Sequence, residues 1–193
     1  MALDILCLPS AQSGRLAPVE SRLAPLFFLI LLITACALAS FAFACATPFA
    51  AFAALGAAML PVPAALLMVA AAWIVNQAIG FSALGYPVDA NTMLWGLAIG
   101  AAALVATATS ALVLRFLPRT GGSVTMGLAL IAAYATYEVV LFAFTPALGG
   151  AGSFTLAIIA RLGLLNALWM IGLVAACEVV RLLNRIRFRR AAA

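Results

Sequence analysis

Apolar runs of bilayer length, broken by proline, glycine and a few polar residues, set the pattern of this chain. The first covers residues 26–46 without a charge, with Pro25 placed for a first helical turn. Thr47 and Pro48 then read as an N-cap and first helical position, and Pro61 and Pro63 close a second run. That run holds about 14 residues, short of the roughly 17–25 that a transmembrane helix needs. A third run spans 64–84, and the polar loop GYPVDAN at 85–91 follows, with Asn91 or Thr92 as the cap of a fourth run reaching Leu117. A turn at 120–123, a fifth run over 125–144, a loop at Pro146, Gly149, Gly150 and Gly152, and a sixth run over 153–183 complete the pattern. The expectation is an all-α, polytopic transmembrane bundle of about six spans, with 1–23 as an N-terminal segment and 184–193 as a basic tail.

Composition agrees with this pattern. Hydrophobic residues make up 68% of the 193 and charged residues 8%, far from the roughly 25% charge of soluble domains. Six spans leave no room for a soluble domain, so the function belongs in the membrane or at its surfaces. All ten basic residues are arginine, and histidine is absent. With the abundant alanine, this usage points to a bacterial inner-membrane protein.

Arginine also orients the spans, because short cytoplasmic loops carry its excess. The N-terminal segment, the Arg115/Arg119 loop and the tail from Arg181 to Arg190 are basic, whereas 85–91 and 147–152 hold no arginine. Six spans with both termini cytoplasmic satisfy this distribution. The tail is suited to anionic lipid, and the basic surface is too small for nucleic acid. Cys7, Cys36, Cys45 and Cys177 lack metal or disulfide spacing and read as small apolar fillers. ITAC at 33–36 looks like a lipoprotein processing site, but the apolar run continues past it.

Within the runs, polar residues are rare enough to be informative. Asn76 and Gln77 stand side by side in WIVNQAIGF, where an unpartnered carboxamide is costly. Counting from the expected outer loops at 1.5 Å per residue puts them roughly 11 Å deep. Glu138 and Arg161 come out at similar depth on adjacent antiparallel spans, where opposite charges pair or face water. Trp73 shares a helix stripe with the amides, and Tyr134 lies one turn from Glu138. Tyr137, Trp95, Tyr86 and Asp89 border the same mouth. These residues leave three readings open: a lock between helices, an outward pocket for a small polar or aromatic solute, and a proton or ion path through Glu138. Glu178 and Arg181 read as a helix-end pair. Ala50, Ala54 and Ala58 form a small-residue stripe on the short second helix, and Gly96 and Gly100 a GxxxG on the fourth.

Enzymatic signatures are missing: there is no HExxH, GxSxG, P-loop or dinucleotide fingerprint, and only five carboxylates. The reading is non-enzymatic and needs no cofactor. The layout, the Ala50/Ala54/Ala58 stripe and the ending ARLGLLNALWMIGLVAACEVVRLLNR at 160–185 together resemble the S components of energy-coupling factor transporters. The resemblance implies uptake of a vitamin-like micronutrient, with a membrane coupling subunit and two ATPases as partners and the alanine stripe packing on the coupling subunit. In that family the stripe sits on the first span, whereas here it lies on the second; the lack of histidine argues against a nickel or cobalt type.

Overall fold

The structure, a computed structural model, describes residues 23–43, 46–117 and 122–191, the side chains of Ala24 and of 184–191 excepted. The segment 1–22 with Cys7, together with Cys45, Arg119 and residues 192–193, lies outside the described residues. All regular structure among the described residues is helical: α1 (Ala24–Phe43), α2 (Phe49–Met59), α3 (Val62–Ser82), α4 (Ala90–Phe116), α5 (Gly122–Leu148), a 3-10 turn (Ala151–Ser153) and α6 (Leu156–Ala191). Five of these helices are long and apolar enough to cross a membrane. The exception is α2, whose 11 residues rise roughly 16 Å against a hydrocarbon thickness of ~30 Å.

Hydrogen bonds fix the direction of each helix. Cys36 Sγ donates to the Ala72 carbonyl at 3.0 Å and Asn76 Nδ2 to Ser40 Oγ at 2.9 Å, so contacts advance together along α1 and α3. The two helices are therefore parallel, and the chain between them must return through the bundle. It does so as α2: Thr47 lies level with Asn76, while Gly56 abuts Ala65 at the other end of the path. Every residue of α2 is buried. Phe49 meets the Tyr137 ring of α5 at 6.4 Å and Phe52 the Trp169 ring of α6 at 6.4 Å, and α2 packs against each of α3, α4, α5 and α6. An all-round apolar helix in which alanine and glycine make up most of the positions is suited to that place, since small residues admit close backbones.

Alternation of direction continues through α3/α4, α4/α5 and α5/α6, with Trp73 bonded to Gly96 O, Ser110 to Ala129 O and Tyr134 to Ile159 O. Asp89 rather than Asn91 or Thr92 is the N-cap of α4; its carboxylate accepts the Thr92 N–H at 2.8 Å. That bond holds the Asp89 carboxyl below the ordinary carboxylate range.

The fifth span runs further than its proline implies. Pro146 lies inside α5, where it deprives the Phe142 carbonyl of its usual N–H donor. Thr145 Oγ1 supplies the missing hydrogen bond to Phe142 O at 2.8 Å, so the helix continues to Leu148. Gly149 and Gly150 then end it at φ 81° and 83°. Thr145→Val keeps the side-chain shape and removes only that donor. It should lower stability by about 1 kcal/mol, read as a lower melting temperature in detergent; an unchanged melt would mean the carbonyl has another partner.

Candidate functional site

Ser40 and Thr47, on either side of the path from α1 into α2, are buried, so their hydroxyls need partners away from bulk water. The amides of α3 provide them. Asn76 Nδ2 donates to both Ser40 Oγ and Thr47 Oγ1 at 2.9 Å, and its Oδ1 accepts from Gln77 Nε2 at 3.1 Å. The N-cap residue of α2 is Pro48 rather than Thr47, and Pro48 provides no side-chain cap. The cap comes from another span. Asn166 of α6 accepts the Ala51 N–H at 3.0 Å through Oδ1 and donates through Nδ2 to the Leu162 carbonyl at 3.0 Å. Carboxamides on α3 and α6 therefore hold the start of α2 from two sides, with Asn76 and Asn166 both buried.

On the α4 side of Asn76, the Trp73 indole N–H donates to Gly96 O at 2.8 Å and its ring lies over Gly100, while Gln77 Oε1 lies against Gly96. The GxxxG pair is a groove receiving these two side chains. Trp73, Asn76 and Gln77 thus belong to one cluster, joined by Ser40, Thr47 and, beyond it, Asn166.

Other sequence-predicted positions fall elsewhere. Tyr134 donates to Ile159 O at 2.6 Å across the α5/α6 seam, with its ring against Gly163 and its side chain beside Glu138. Arg161 is exposed on the opposite side of α6. No ion pair joins it to Glu138, because residues 159 and 163 face α5 and a helix turns by 100° per residue, directing residue 161 away. Arg181 does pair with Glu178. Tyr86 packs on Gly80 and Phe81, Tyr137 on Phe49, and Trp95 reaches Gly150, so these aromatics close helix ends and seams. Ala50, Ala54 and Ala58 are at most 3% exposed: the protein's own helices cover the stripe, leaving none of it for a partner.

A groove of about 310 Å³ opens between α1 and α6, lined by Leu31, Thr34, Leu38, Trp169 and Leu173 among others. It is apolar, and none of the predicted site residues lines it. Among the described residues no group of three or more metal-ligating side chains is present.

Compared with known proteins, the chain matches no family model, no curated protein and no solved structure.

Proposed function

We propose that the protein is a membrane uptake subunit for a small polar solute, with its site at the start of α2. The observation that carries the reading is a short helix whose first turn lies inside the bundle, met there by amides from two different long spans. Interrupted helices with polar shells inside the membrane are where solute transporters hold their cargo, because a helix N-terminus supplies N–H groups and positive potential. On the topology expected from arginine placement, this cluster is nearer the outer face of a bacterial inner membrane. Solute would exchange for the Gln77–Asn76 hydrogen bond, whose half-buried Gln77 is the more accessible partner. Trp73 would form the adjoining wall. The resemblance to S components adds a coupling subunit and two ATPases as expected partners, which would dock away from the buried alanine stripe.

A second reading has its own observation. Asn76 already uses both donors and an acceptor within the chain, as expected for a residue that fastens helices in a non-transporting scaffold. Screening water-soluble vitamins and related solutes by thermal shift in detergent separates the two. The uptake reading expects a solute that raises the melting temperature of wild type by several degrees, with the shift abolished in Gln77→Leu, whose own melt stays near wild type. If no solute gives a shift, or the shift survives in Gln77→Leu, the scaffold reading replaces it.

A further inference from the structure

Asn76 is held so that a single polar atom is left to face a solute. Its amide nitrogen donates to Ser40 Oγ and Thr47 Oγ1, both at 2.9 Å, and this fixes the side chain with Oδ1 toward Gln77. Asn76 therefore presents a carbonyl, which only a donor can satisfy. Gln77 supplies that donor through one N–H at 3.1 Å, the single side-chain hydrogen bond it makes among the described residues. Its second N–H and its Oε1 remain open, and Oε1 rests against Gly96, where no side chain stands in the way. The first turn of α2 has little left to add. Its N–H groups at Phe49, Ala51 and Phe52 are already bonded to Thr47 O, Asn166 Oδ1 and Pro48 O. The side chains of this network are uncharged amides and hydroxyls; Glu138 stands beside Tyr134 at the α5/α6 seam, and Arg161 is exposed.

We propose that the solute taken at this site, on the uptake reading above, is an uncharged primary carboxamide. Opening the Gln77–Asn76 bond leaves two acceptors, Asn76 Oδ1 and Gln77 Oε1, and the Gln77 amide N–H as donor. One primary carboxamide matches all three: its two N–H groups donate to the two carbonyls, and its own carbonyl accepts from Gln77 Nε2. Such a solute gives Asn76 the kind of N–H that Gln77 gives it, so the Gln77 side chain is the pattern for its own replacement. Rotation of Gln77 away from Gly96 supplies the room. A carboxylate has no donor for either carbonyl, and an ammonium has no acceptor for the Gln77 N–H. Both would also be buried without a counter-charge. A hydroxyl brings one donor where two are needed.

Thermal unfolding in detergent with a set of near-isosteres tests this. Benzamide at millimolar concentration should raise the melting temperature of wild type. Benzoate, benzylammonium, benzamidinium, benzyl alcohol and N,N-dimethylbenzamide should each need about 10–100-fold more for the same shift, the factor expected when a buried donor or acceptor is left unmet. Gln77→Glu should reverse the preference. Its carboxylate accepts where the amide donated, so benzamidinium, with N–H groups in place of the benzamide oxygen, should become the better ligand and benzamide the poorer. No shift with benzamide, an equal or larger shift of wild type with any of the other five, or an unchanged preference in a folded Gln77→Glu would overturn the proposal. Should Gln77→Glu fail to fold, the wild-type ranking decides alone. A solute of another class whose shift is lost in Gln77→Leu would overturn the carboxamide assignment and leave the uptake reading standing, whereas no Gln77-dependent shift with any solute overturns both.

Discussion

Replacing Asn76 by leucine should destabilise the bundle by about 2 kcal/mol, more than the same change at its neighbour Gln77. The side chain has similar volume, so packing is roughly kept and the loss is of hydrogen bonds. Three are removed at once: two to the buried hydroxyls of Ser40 and Thr47 and one from Gln77. The full penalty of two orphaned hydroxyls is not incurred. Ser40 and Thr47 lie 3.4 Å apart and can bond each other, and Cys36 Sγ is 3.9 Å from Ser40. Average side-chain hydrogen bonds between membrane helices contribute only ~0.6 kcal/mol, and three at that value also total about 2 kcal/mol. Gln77→Leu removes one bond from a half-buried residue and should cost less than about 1 kcal/mol by the same measure. Thermal unfolding of both variants in one detergent checks the ordering. Equal losses would mean that Asn76 is not the centre of the cluster.

Much of the fold was legible because membrane helices announce themselves by length and apolarity. The short second run was readable between Pro48 and Pro61, and its shortness had a structural cause: α2 is surrounded by protein and need not match the hydrocarbon thickness. Its partners were harder to find. Asn166 sits in LGLLNALW as Asn76 sits in WIVNQAIG, and the same criterion of an amide in an apolar run picks it out. Ser40 and Thr47 gave a weaker signal, since small hydroxyls in a membrane helix can bond to their own backbone. Position along the chain proved a poor guide to facing. Depth counting brought Glu138 and Arg161 to one level, but it carried no information on which side of α6 Arg161 would take. Likewise, alanine spacing of four identified a smooth stripe without saying whether the surface against it belonged to this chain. Pro146 misled for a local reason, because its disruptive effect depends on whether the Phe142 carbonyl finds another donor, and Thr145 provides one.

Packing beneath Trp73 should be the least forgiving place in the chain. A β-carbon at position 100 would lie 2.6–2.9 Å from the indole atoms Cε2, Cδ2 and Nε1, distances at which something must move. The ring cannot simply swing aside, because its N–H is bonded to Gly96 O at 2.8 Å on the same helix. Gly100→Ala should therefore either break that bond or separate α3 from α4, costing about 2–3 kcal/mol, the upper range for overpacking a tight core. Gly96→Ala meets chiefly the end of the Gln77 side chain, which can rotate, and should cost less. At Gly172 a β-carbon meets nothing within 4 Å. There the gain in helix propensity, up to about 1 kcal/mol, is unopposed by contact. The expected melting temperatures rank Gly172→Ala at or above wild type, then Gly96→Ala, then Gly100→Ala, and the last should also shift Trp73 fluorescence in a chain stripped of its other two tryptophans. If Gly100→Ala melts with wild type and leaves that fluorescence unchanged, the α3/α4 seam is looser than this geometry and the groove is not what aligns Trp73 and Gln77 beside Asn76.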